Sequence, residues 1–119
     1  KNEELTKLTG IVKFIINSCV TTVNYKEFYI KVQKLSVAKY NGRAKRLING
    51  IEEILKRERE NALNTIPLVQ KDSSLGFEPS MRYRTDEKGL RWKIKQLDYE
   101  LSVTVPLYRK SNGIKIKTK

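Results

Sequence analysis

Apolar residues recur at spacings of three and four from the start of the chain: Leu5, Leu8, Val12, Ile15, Cys19 and Val23, widened by Ile11 and Ile16. Phe28, Val32 and Leu35 continue the rhythm, flanked by Tyr25, Tyr29 and Ala38. This period predicts an amphipathic helix over about Glu3 to Ala38, with the stripe on its buried side. "TTVN" at 21–24 is the soft spot, because threonine and asparagine are poor helix formers. Either one long helix with a bend or a break near Thr22–Tyr25 is expected.

"KYNGR" at 39–43 reads as a turn, with Gly42 free to take a positive φ. So short a connection predicts antiparallel neighbours. A second helix is expected from about Ala44 to Val69. Ala44, Leu47, Ile48, Ile51, Ile54 and Leu55 form its apolar face, which Ala62, Leu63, Ile66 and Val69 resume. "KREREN" interrupts that face, and Glu58 falls where a core residue belongs. Two readings compete. One is a solvated middle lying beyond the ends of the partner helices. The other is a polar cluster at an interface, fixing register or lining a pocket. Gly50 weakens the helix but permits close packing. Pro67 lacks an amide proton and is expected to kink or end the helix within 65–71.

Asp86, or alternatively Thr85, is placed to cap a third helix. Leu90, Ile94, Leu97, Leu101 and Val105 follow at helical spacing, with Trp92, Tyr99 and Val103 widening the apolar surface. Pro106 supplies a stop, giving a helix over 87–104. Strand alternation is nowhere sustained. The expected fold is therefore all-α, a three-helix antiparallel bundle over residues 1–108 as one domain. An ordered loop joins the second and third helices. Residues 109–119 read as a basic flexible tail, with a hairpin turning at Asn112–Gly113 as the weaker alternative.

Composition narrows the chemistry. Hydrophobic residues make up 39% of the chain, above the level at which chains stay disordered. The longest apolar runs, such as "FII", are far too short to span a bilayer. The opening "KNEELTKL" shows no signal pattern and reads as a domain excised from a larger protein. Cys19, the one cysteine, excludes an internal disulfide and reads as a buried thiol among Ile15, Ile16, Val20 and Val23. With no histidine, zinc sites built on histidine and cysteine and a Ser–His–Asp triad cannot form within the chain. No glycine-rich phosphate loop is present. No catalytic residue, metal or cofactor is assigned.

The net charge of +12 raises nucleic-acid binding as an alternative function. Its candidate residues are Lys88, Arg91, Lys95 and Trp92. The basic excess is spread along the chain, however, and a helix places Arg91 and Lys95 on one polar face with Trp92 rotated away and partly buried. Nucleic acid is thus the less favoured partner.

"DSSLGFEPSM", residues 72–81, has neither helical period nor alternation. Asp72 is placed to cap a local turn with Ser73 and Ser74. Gly76 permits close backbone approach, Phe77 is an expected anchor, Pro79 restricts the path and Met81 fills a gap. Asp72, Phe77, Glu78, Arg82, Tyr83 and Arg84 are the candidates for ligand or interdomain contact. A pair of carboxylates for glycoside hydrolysis needs a defined separation, and linear spacing supplies none.

The segment "ALNTIPLVQKDSSLGFEPSMRYRTDEKGLRWKIKQLDYEL" resembles the C-terminal region of large bacterial glycoside-hydrolase-like, carbohydrate-active proteins. The landmarks are Asp72, Leu75–Gly76, Glu78–Pro79–Ser80–Met81, Tyr83 and Trp92–Lys93. "ERENA" and "TIPLV" add to them, and "TTVNYKEFY" extends the likeness over roughly residues 12–108. Phe77 stands where a tryptophan is expected after the glycine, which puts an aromatic sugar platform in doubt. The resemblance implies a catalytic domain upstream and an extracytoplasmic setting. In it this segment is a non-catalytic accessory helical domain packed against the catalytic part, with its loop near a glycan site. A general protein-interaction bundle is the remaining alternative.

Overall fold

The computed structural model describes residues 2–75, 77, 78, 83, 84 and 86–114, and of 77, 78, 83 and 84 the backbone alone. Helix α1 covers Asn2–Ser36 and α2 covers Asn41–Lys71. A short antiparallel ribbon follows, β1 (Phe77–Glu78) and β2 (Tyr83–Arg84), with Phe77 opposite Arg84 and Glu78 opposite Tyr83. Helix α3 (Glu87–Tyr99) leads through a π-helical turn, Glu100–Thr104, into α4 (Val105–Ser111). The fold is an all-α bundle in which α2 packs against both α1 and α3. It is elongated, 58 × 29 × 21 Å.

Helix α1 is continuous through 21–25. Thr22 donates its hydroxyl to the Ser18 carbonyl (3.1 Å), and the Asn24 side chain is engaged by α2. Thr22 thus bonds the carbonyl four residues back without leaving the helix, and the Asn24 side chain is drawn to α2 rather than to the local backbone. The turn lies earlier than "KYNGR" suggests. Tyr40 is extended (φ −121°, ψ 138°), so Asn41 and Gly42 already belong to the first turn of α2. With Tyr40 making the change of direction, Gly42 needs no positive φ. Among the described glycines Gly113 alone has one, at 64°.

Helix α2 runs through Pro67 to Lys71. Pro67 sits on the solvent side with Leu63, where water can serve the carbonyl that loses its donor. Two apolar cores line the inner face of α2. Ala44, Ile48, Ile51 and Leu55 meet Leu97, Val105 and Ile114, with Phe28 and Leu35 of α1 packed against them. Farther along, Ala62, Ile66 and Val69 meet Leu90 and Ile94, with Phe14 and Leu75 alongside. At Gly50 a Cβ would lie 3.2 Å from Cδ and Cε of the Lys31 side chain of α1, with no backbone of α1 among its nearest neighbours.

Asp86 caps α3 by accepting from the Gly89 amide at 2.8 Å. The helical path does not stop at Pro106. The Val105 amide reaches back five residues to the Glu100 carbonyl, and this wide turn opens the ladder where Pro106 cannot donate. The expected flexible tail is corrected through residue 114. Arg109 is 3% exposed and donates to Asn49 (2.7 Å) and Glu52 (2.8 Å) of α2. Gly113 turns the chain in left-handed conformation, which brings Ile114 into the first core. Three contacts with α2 thus tie down a segment whose lysine-rich sequence suggests a solvated end.

Candidate functional site

The apolar stripe that reads as buried on α1 faces outward. Leu5, Leu8, Val12, Ile15, Ile16 and Val23 are 47–64% exposed, and Cys19 among them is exposed. This corrects both the expected buried side of α1 and the expected buried thiol. The side turned to α2 carries Phe14, Asn17, Thr21, Asn24, Phe28 and Leu35 instead. Helix α1 therefore has two faces with apolar content, and α2 selects the one that matches its own polar groups.

That match is a polar seam between the two cores. Glu58 is 7% exposed, and three donors converge on its carboxylate: Thr21 Oγ1 (2.7 Å), Asn24 Nδ2 (2.8 Å) and Lys93 Nζ of α3. Asn61 donates to the Asn17 carbonyl and to Thr21 Oγ1, each at 2.9 Å. Thr65 accepts from Asn17 Nδ2 at 3.0 Å and donates to the Asn61 carbonyl at 2.7 Å. Arg57 joins Asn24 to Glu27 at the surface. Of the two readings of "KREREN", the interfacial cluster is the one observed. Among the described residues no buried side-chain nitrogen or oxygen lacks a partner. A complete network of this kind fixes the register of α1 on α2, since a slip strands several buried groups at once.

An open trough of about 310 Å³ adjoins the seam between α1 and α3. Its walls include Phe28, Ile54, Leu55 and Leu97, with Glu58 and Lys93 at its polar end. Those polar groups already satisfy one another.

Among the loop candidates only Asp72 has a described side chain. Asp72 accepts from the amide (3.1 Å) and hydroxyl (2.6 Å) of Ser74, which holds its carboxyl below the usual range. The described anchor of the loop is Leu75, packed on the second core. The side chains of Phe77, Glu78, Tyr83 and Arg84 lie outside the described residues, as do Gly76, Pro79, Met81, Arg82 and Thr85.

Lys88, Arg91, Trp92 and Lys95 share one surface groove with Asp86, Glu87 and Gln70. Trp92 is 63% exposed rather than partly buried, and Tyr99 and Val103 are outward as well. Arg91 is engaged by Glu87 at 2.8 Å, and that contact, with Gln70, lowers the Glu87 carboxyl below its ordinary value. The groove thus mixes both signs of charge. Among the described residues no group of three or more histidine, cysteine or acidic side chains is arranged to hold a metal. No helix among them is long and apolar enough to cross a membrane.

Comparison with protein-family models, curated proteins and solved structures finds no match to this chain.

Proposed function

We propose that the chain is a non-catalytic helical interaction module, accessory to a larger protein, and that it docks through the outer stripe of α1. The observation that carries this reading is the exposure of Leu5, Leu8, Val12, Ile15, Ile16 and Val23 along one side of a single continuous helix. Six large apolar side chains standing about half open or more in one contiguous row are what marks an interaction surface. Such a face gains free energy when another surface covers it. The seam around Glu58 supports the same role, because it holds α1 in fixed register and so keeps the stripe straight and preorganised. The resemblance noted from "DSSLGFEPSM" and its flanks supplies the setting, a large carbohydrate-active protein.

The test is sedimentation of the chain alone and of the chain mixed with the remainder of the longer protein. It is run for the native sequence and for Ile15→Lys combined with Val23→Lys. The native chain is expected to form a complex in at least one of the two samples, and the substituted chain in neither. Monomeric behaviour of the native chain in both samples contradicts the reading.

A further inference from the structure

We propose that the outer stripe of α1 is covered by the same stripe of a second copy, antiparallel, about a two-fold axis near Cys19. The proposal rests on reading the stripe as the docking face and names its partner. Three observations carry it.

Two pairs of exposed apolar residues on α1 are self-complementary in position. A two-fold interface sets one patch against itself, so residues equally distant from the axis meet. Leu8 and Ile30 lie eleven positions either side of Cys19, and Ile15 and Val23 lie four either side. All four are about half exposed, at 57%, 49%, 54% and 53%. Antiparallel pairing brings Leu8 against Ile30 and Ile15 against Val23.

Apolar side chains stand open on both copies. Leu5, Leu8, Val12, Ile15, Ile16 and Val23 of each are about half exposed or more, and setting them against one another removes that apolar surface from water. Helix α2 packs on the opposite side of α1, so the stripe is open along its length.

The charges select the direction. Glu4, in the first turn of α1, and Lys34, in its last, lie fifteen positions either side of Cys19. Antiparallel pairing sets Glu4 of each helix beside Lys34 of the other and opposes the two helix dipoles. Parallel pairing sets Glu4 beside Glu4 and Lys34 beside Lys34.

Two measurements on the full chain test this. In sedimentation equilibrium the native chain is expected to be dimeric at micromolar concentration. Ile15→Lys with Val23→Lys is expected to weaken the dimer at least about tenfold, a difference of about 1.4 kcal/mol, with its helical circular dichroism retained. In a Cys19→Ser background, mixed Leu8→Cys and Ile30→Cys chains are expected to form a disulfide between the two variants. A crosslink of Leu8→Cys to its own copy in preference overturns the antiparallel direction. A native chain that stays monomeric to about 100 μM overturns the pairing. If that monomer still binds the remainder of the longer protein through the stripe, the docking reading stands and the second copy is the wrong partner. If it binds neither, both readings fail.

Discussion

Phe14 and Ile16, two residues apart on α1, face opposite ways: Phe14 packs against the second core, while Ile16 is 55% exposed on the far side. Two steps along an α-helix turn the side chain through roughly 200°, so a continuous α1 cannot bury both against α2. The fold spends the aromatic ring on the core and leaves the branched aliphatic residues outside.

This relationship gives a direct stability contrast. Phe14→Ala is expected to cost about 2–3 kcal/mol, since it removes a ring from the second core. Ile16→Lys is expected to stay within about 0.5 kcal/mol, because nothing in the fold covers that position. Urea denaturation of dilute protein measures both. A large loss with Ile16→Lys shows that the stripe is internal after all.

At the seam, Glu58→Ala removes one acceptor that serves α1 and α3 together. The expected cost is about 3 kcal/mol, because Thr21 and Asn24 lose their partner in a buried setting. Combining it with Lys93→Met should cost less than the sum of the two single changes. Additive losses in that double-mutant cycle contradict a direct link between the two side chains.

The two ends of the chain respond oppositely to the same glycine change. Gly10→Ala adds a Cβ that meets nothing within 4 Å inside a helix, and is expected to stabilise by up to about 1 kcal/mol. Gly113→Ala places a Cβ at φ +64° and is expected to destabilise by about 1–2 kcal/mol. Release of Ile114 from the first core adds to that loss. Thermal unfolding of both variants checks the difference in sign.

Acid sensitivity follows from two exposed carboxyls. Asp72 is lowered by its contacts with Ser74, and Glu87 by Arg91 and Gln70. A carboxyl lowered in the folded state adds stability above its unfolded value and loses it as pH falls through the folded value. Both contributions are therefore full at neutral pH and decline in the acid range. Asp72→Asn and Glu87→Gln are each expected to flatten the acid limb of melting temperature against pH. An unchanged limb in both variants contradicts the assignment.

Helix α2 was legible in the sequence because all its expected apolar face but Leu63, which is exposed, lies on one side, so period and burial otherwise agree from Ala44 to Val69. Helix α1 was legible as a helix but not in its orientation. It carries two stripes, and periodicity ranks them by hydrophobicity alone. The deciding signal was relational: Asn17, Thr21 and Asn24 are spaced by four and three, while Glu58, Asn61 and Thr65 are spaced by three and four. Run antiparallel, the two sets meet, and polar residues become the buried choice once each has a partner. Residues 109–114 were misread because a lysine-rich end looks solvated, whereas Arg109 is fixed by Asn49 and Glu52 some sixty positions away. Of the loop candidates, sequence identified the Asp72 turn but not Leu75 as the anchor, since one leucine among serines has no period to mark it.

The most direct measurement is the alkylation rate of Cys19, which lies at the middle of the outer stripe. It is followed from nanomolar to high micromolar protein, and again with the larger protein proposed as its partner. An exposed docking face predicts fast labelling of the dilute chain and at least about tenfold protection on assembly. Slow labelling in the dilute chain, or an equal rate in every sample, contradicts the account.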